Sequence, residues 1–315
     1  MRTPPQLTVL AGGVGAARFL RGLITSTDPA SLTIIVNTAD DDRFFGLAVS
    51  PDLDTIVYTL AGLAPRGRGW GLAGDRFECL AALGRLYGGC GWFRLGDRDL
   101  ATHIYRTDRL AAGAALSTVT AEISRAFGVT ARVLPMSDQP VRTVLGTDRG
   151  RLSFQRYLVA EGARPVVRTL RYRGAARARP APGVLRAIRE ARAVIIAPSN
   201  PFLSIGPILA VPGVRAALTA RRGPVAAISP LVRGRAVTGP LARLLRRFGH
   251  PVSSVGSARC SRPFLDMLVI DRRDRDDAAA LERDGCRAIV TDTVFSTARR
   301  AARAAQTLLM ALEIS

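Results

Sequence analysis

The sequence predicts an α/β protein: a Rossmann-like, mostly parallel sheet with an inserted helical and β-hairpin subdomain. Strand-like apolar runs recur at 7–11, 32–36, 193–197, 224–228, 267–270 and 287–290, with helical patterns between them. Alternating βα units of this kind imply parallel strands covered on both faces. A glycine cluster directly follows the first run, and a long excursion separates the second run from the third. We therefore expect a single catalytic domain over 1–315 that carries an inserted subdomain at 54–180.

The first element is LTVLAGGVGAARFLRGL, residues 7–23. Leu7 to Leu10 read as a buried strand, and Arg18, Phe19, Leu20, Leu23 and Ile24 recur at helical spacing. Gly12, Gly13 and Gly15 thus occupy a strand-to-helix turn, with the helix starting at about Ala16. Without Cβ atoms the backbone turns sharply there, and its free amides join the positive end of the helix dipole. Such a turn favours an anion, most often phosphate. The GGxG spacing matches neither the dinucleotide fingerprint nor the P-loop, and a tight turn without a ligand is the alternative. A dehydrogenase lacks support, since the second strand ends in Val36 and Asn37 rather than in an acidic residue.

After that second strand comes VNTADDDRFFGLAVSPDLDT, in which Asp40, Asp41, Asp42, Asp52 and Asp54 fall within fifteen positions. The segment belongs at the carboxyl edge of the sheet, beside the glycine turn, where open α/β folds bind ligands. Two carboxylates about 4 Å apart repel by roughly 4 kcal/mol at an effective dielectric near 20, so a positive charge belongs among them. Oxygen ligands suit Mg²⁺, which takes one or two carboxylates together with water and substrate phosphates. A solvated acidic loop with Asp54 as a helix N-cap is the alternative reading.

The excursion is largely helical over 54–128 and alternates as a hairpin over 130–172, with its turn at Asp148, Arg149 and Gly150. RYRGAARARPAPG (171–183) reads as a flexible basic connector. Within the helical part, WFRLGDRDLATH (92–103) is too polar for a core helix: Arg94, Asp97, Arg98 and Asp99 can order one another or leave donors free for phosphate. His103 and His250 are the only histidines, which excludes a multi-histidine metal site. APSNPFLSIGP (197–207) and AISPLVRG (227–234) place Ser199, Asn200 and Ser229 at strand carboxyl ends. A serine nucleophile would require a Gly-x-Ser-x-Gly elbow, which is missing, so ligand binding is the better reading.

Composition narrows the function classes. The net charge of +20 comes entirely from arginine, with no lysine, and only 6% of residues are aromatic. That pattern fits a coding bias spread over the surface better than a nucleic-acid interface with stacking platforms. Cys79, Cys90, Cys260 and Cys286 form no CxxC pair, which argues against disulfides or a thiolate metal site and fits the cytoplasm. Two prolines lead straight into the first strand, leaving no room for a signal peptide. The uncharged run 193–214 is interrupted by four prolines and is no membrane span.

Taken in order, GGVGAARFLRGL, VNTADDD, SPDLDTIVYTLAG, LGDRDLATH, LPMSD, APSNPFLSIGPILAVPG and SPLVRGRAVTGP resemble the 2-phospho-L-lactate transferase family of deazaflavin coenzyme (factor 420) biosynthesis, over about residues 7–312. The resemblance implies transfer of a phospho-organic-acid group, from 2-phospholactate, phosphoenolpyruvate or 3-phosphoglycerate, out of a guanosine diphosphate donor. The acceptor is 7,8-didemethyl-8-hydroxy-5-deazariboflavin, and GMP leaves with Mg²⁺ present. Asp40, Asp41 and Asp52 become metal candidates, with a remaining carboxylate, Asp41 or Asp54, taking the hydroxyl proton. Asp54 and Arg94 are implied to contact the deazaflavin, Arg98 to stabilise transferred charge, and Gly12, Gly13, Gly15, Ser199, Asn200 and Ser229 to bind guanosine and phosphate. A homodimer is implied as well. Val14 stands where many members have threonine, and GSARCSR (256–262) departs from the usual segment. A related GGxG family of nucleotide-sugar-binding regulatory proteins is the alternative.

Overall fold

The computed structural model describes residues 7–89, 91–237 and 239–314; Cys90 and the two N-terminal prolines named above lie outside them. The strand LTVLA (β1, Leu7–Ala11) is buried along its whole length, as a central strand covered on both faces must be. Its one polar side chain is satisfied, because the Thr8 hydroxyl donates to the Ala187 carbonyl at 2.8 Å. Alternate residues feed two separate cores. Val9, Ala11, Ile34 and Val36 lie in one, Leu10, Ile35, Val194 and Ile196 in the other.

Seven strands form the central sheet: β1, β2 (Leu32–Val36), β3 (Arg132–Pro135), β4 (Ala193–Ile196), β5 (Val225–Ile228), β6 (Met267–Asp271) and β7 (Arg287–Thr291). Their order is β7-β6-β5-β4-β1-β2-β3, and every pairing is parallel. The α/β, Rossmann-like expectation is therefore met. The chain runs outward from β1 to β3 on one side and returns to β4 on the other. The order thus reverses between β1 and β4, and the carboxyl ends of those strands open a crevice there.

Two expectations for the excursion need correction. The alternation over 130–172 places residues 132–135 in the hairpin segment; instead they pair with β2 as an edge strand of the main sheet. RVLP is a short run buried at three of four positions, a pattern that alternation over a longer window conceals. The hairpin itself is present, with Arg142–Thr147 paired to Gly150–Ser153, and Val167–Arg173 adds a third antiparallel strand. The supposed connector 171–183 is no loose linker. It completes that third strand, passes through a 3₁₀ turn at Ala175–Arg177, and buries Ala175, Ala178 and Ala181 in the core. Those alanines, hidden among arginines, hold it down.

Among the described residues four α-helices lie between β2 and β3: α2 (Pro51–Leu60), α3 (Glu78–Tyr87), α4 (Asp97–Ala111) and α5 (Leu116–Ala126). The first helix, α1 (Gly13–Leu23), starts earlier than Ala16, and its first residue, Gly13, holds a left-handed turn conformation with φ of +72° that glycine adopts freely. Against α1 lies the C-terminal helix Ala298–Ala311, so close that Gly22 faces the backbone of Ala301 and Ala302. Among the described residues no helix is long and apolar enough to cross a membrane.

Candidate active site

At the reversal between β1 and β4 the two halves of the sheet are tied together. The Gly12 amide donates to Ser199 Oγ at 3.3 Å, and the Ser199 hydroxyl donates to the Gly12 carbonyl at 2.9 Å. Glycine is required here by space. A Cβ on Gly12 would meet Asp52 Oδ2 and Ser204 Cβ at 2.7 Å, and one on Gly15 would strike the Pro198 carbonyl. No acidic residue occupies the first turn of α1, so its positive end faces the crevice uncompensated by its own helix.

Above this turn lies a cavity of about 620 Å³. Gly12, Gly13, Gly15, Asp40, Asp52, Asp54, Arg94, Ser199, Asn200 and Ser229, all anticipated from sequence, line it. Asp41 and Arg98 do not. Asp41 is buried and receives the Ser50 hydroxyl at 2.8 Å, while Arg98 is exposed and donates to the Ala73 carbonyl at 3.3 Å. Asn200 Oδ1 accepts from the amides of Phe202 and Leu203, so part of its capacity shapes the loop rather than facing a ligand.

The acidic cluster is resolved into a pair and a neighbour. Asn37 Nδ2 donates to both Asp40 Oδ1, at 3.1 Å, and Asp52 Oδ2, at 2.9 Å. Burial pushes the Asp52 carboxyl up to about 6, offset partly by the Asn37 amide and the Gly13 backbone. Burial likewise raises Asp40 well above the ordinary range, reinforced by the charges of Asp52 and Asp41. Asp41 is pushed up to about 7 by burial, against the pull of Arg142 and the Ser50 hydroxyl. Among the described residues no three His, Cys, Asp or Glu side chains converge into a protein-only metal cage. Two buried carboxylates short of positive charge, with the rest of the sphere left to water and substrate, are the donor set Mg²⁺ accepts.

Asp54 belongs to a different network. It sits in the first turn of α2, which Ser50 precedes as cap residue, so the N-cap reading of Asp54 is set aside. Its carboxylate pairs with Arg106 and lies 3.7 Å from His103 Nδ1. His103 Nε2 is 3.3 Å from Asp99 Oδ2, and Tyr58 donates its hydroxyl to Asp99 Oδ1 at 2.7 Å. Hydrogen bonding to His103 and Tyr58 outweighs burial and holds the Asp99 carboxyl low.

Part of the cavity lining is aromatic. Trp70, Trp92 and Phe93 line the cavity beside Arg68 and Arg94, Phe93 stacks on Phe44 at 3.8 Å, and Arg94 lies 4.1 Å over the Phe77 ring. A flat, partly apolar ring system fits such side chains, and anionic groups fit the glycine turn. Sequence reasoning missed Asn37, Tyr58, Arg106 and Gln155. Asn37 and Arg106 left a trace: one ends the second strand immediately before the acidic run, and the other follows His103 by three positions, on the same helix face.

Residues 7–308 match the family described as 2-phospho-L-lactate transferase CofD. The 2-phospho-L-lactate transferase of Methanosarcina mazei is 38% identical over 97% of this chain and 100% of its own. The phosphoenolpyruvate transferase of Streptomyces griseus is 41% identical over 98% and 99%. A crystallised UPF0052 family protein from Bacillus halodurans superposes with a TM-score of 0.64 over 98% of this chain and 100% of its own, and at 18% identity it speaks for the fold alone. Fold, crevice and sequence agree: the chain belongs to the 2-phospho-L-lactate transferase CofD family and is a transferase of that enzyme type.

Proposed function

We propose that the protein transfers a phospho-organic-acid group from a guanosine diphosphate donor to the terminal ribityl hydroxyl of 7,8-didemethyl-8-hydroxy-5-deazariboflavin, releasing GMP. The single observation that carries this reading is the meeting of the glycine turn with the Asp40–Asp52 pair in one cavity that aromatic side chains also line. The donor diphosphate lies between amides and carboxylates, with Ser199, Asn200 and Ser229 on its side. The deazaflavin ring lies against Trp92, Phe93 and Arg94, with Asp54 accepting from its side-chain hydroxyls.

Asp40 and Asp52 are the residues that would hold Mg²⁺, and the bound ion supplies neutralisation of diphosphate charge. The rest is positioning. The ribityl oxygen attacks the phosphorus that carries the organic acid, the bridging P–O bond to GMP breaks, and the hydroxyl proton passes to Asp54, the candidate cavity carboxylate that the metal leaves free. The reading extends to a homodimer, on the family resemblance, to the cytoplasm, on the scattered cysteines, and to segment 54–180 as an insertion that β3 interrupts, on the excursion between the apolar runs. Relatives named for 2-phospholactate and for phosphoenolpyruvate are about equally similar, so the test uses every donor. Purified protein with deazaflavin, Mg²⁺ and each of the three guanosine donors should yield a product heavier by the transferred group in mass spectrometry. No mass gain with any donor defeats the reading.

A further inference from the structure

Helix α4 turns a polar stripe inward where packing would normally demand an apolar one. Asp99, His103 and Arg106 follow one another at spacings of four and three, and α2 presents Asp54 and Tyr58 to them. All five are buried, His103 to 1% exposure and Arg106 to 2%. Asp54, Tyr58, Asp99 and His103 border the cavity; Arg106 stands behind them.

The geometry around Arg106 is that of a clamp. Nη1 donates to Asp54 Oδ2 at 3.1 Å and Nη2 to Asp54 Oδ1, so both oxygens are gripped by one planar fork. A carboxylate oxygen offers two acceptor sites, and the fork occupies one on each, leaving the others for the cavity. The clamp is itself braced, since Nη1 also lies 3.4 Å from the Ala48 carbonyl and 3.3 Å from His103 Nδ1. A guanidinium has only donors, so His103 Nδ1 is the acceptor in that contact. The amino end of α4 is pinned as well: Asp75 accepts from the Arg98 amide at 2.8 Å and from the Asp99 amide at 3.0 Å.

We propose that Arg106 is a positioning residue of the transfer reaction, setting the Asp54 carboxylate in the orientation the acceptor hydroxyls require without touching substrate itself. The inference rests on the reading of Asp54 as an acceptor contact. A lysine keeps the charge and loses the fork, so Arg106→Lys isolates orientation from charge.

The test is steady-state transfer with deazaflavin, Mg²⁺ and the working guanosine donor, beside fluorescence titration of deazaflavin binding and circular dichroism of each variant. Arg106→Lys should lower kcat/KM for the acceptor by about tenfold or more, in keeping with the cost of an ångström-scale misplacement, and leave the donor KM unchanged. In an Asp54→Asn background the same substitution should add nothing. An equal loss for donor and acceptor, an additive loss in the double variant, or activity that merely tracks the folded fraction overturns the proposal in favour of a purely structural clamp. Should Arg106→Lys fail to fold, Arg106→Gln with Asp54 kept, compared at equal folded fraction, takes its place; acceptor binding as tight as in the wild type then overturns the proposal, and weakened acceptor binding with an unchanged donor KM supports it. Wild-type protein inactive with all donors brings down the functional reading together with this one. An active wild type with an unaffected Arg106→Lys removes this inference alone.

Discussion

Gly12 has Asp52 on one side and Ser204 on the other, each 2.7 Å from where a Cβ would stand. Gly12→Ala should therefore cost about 1–3 kcal/mol of stability by overpacking, read as a lower urea midpoint at unchanged slope, and abolish transfer by splaying the crevice. A pH series tests the carboxylates. Asp41 and Asp52 titrate near 7 and 6 when folded, against an ordinary 3.8, so the metal-free fold keeps protons that the unfolded chain releases. Their contribution falls as pH rises from about 4 to 7. Asp271 goes the other way: its hydrogen bonds to Arg273 and Thr293 hold it at about 2, and its contribution is lost as pH falls from about 4 towards 2. With a chelator present, the thermal midpoint should peak near pH 4 to 5 and decline towards pH 8, and Mg²⁺ should recover part of the decline. A midpoint flat from pH 5 to 8 and blind to Mg²⁺ would remove the metal from this site. Sequence made the glycine turn and acidic run legible because both are contiguous. Arg106 was not legible as the partner of Asp54, because 52 positions separate them and only the packing of α4 on α2 joins them.

Among the elements, six strands of the main sheet were readable as continuous apolar runs. β3 was not: four residues beside an alternating segment carry too little periodicity, and partner pairing decided their fate. The 171–183 stretch misled through its arginines, whereas its alanines do the packing. The contact between α1 and the C-terminal helix yields a prediction of its own. Gly22 faces the backbone of Ala301 and Ala302, where no side chain fits. Gly22→Val must push the helices apart and should lower stability by about 1–3 kcal/mol in chemical denaturation, with the cavity residues untouched. The small antiparallel sheet is held by a separate cluster around Leu145, Tyr157 and Val167. Leu145→Ala should cost about 2–5 kcal/mol in the same measurement.

For the molecule as a whole, a charge of +20 places 45 arginines against 25 carboxylates. Such excess strains a compact state by self-repulsion, and salt screens it within about 10 Å at 0.1 M. Raising sodium chloride from 20 to 300 mM at pH 7.5 should therefore raise the thermal midpoint by a few degrees. A fall instead would mean that specific ion pairs outweigh the repulsion. The strand order has one more outcome. β1 is synthesised before its partners and acquires β2 soon after, but its other neighbour, β4, begins at residue 193. At roughly 5–20 residues per second, a ribosome leaves that hydrogen-bonding edge unpaired for about 10–40 s. The nascent chain thus carries a sticky parallel edge until β4 is made, and a chain cut before residue 193 holds a half-sheet with only one bank of the crevice.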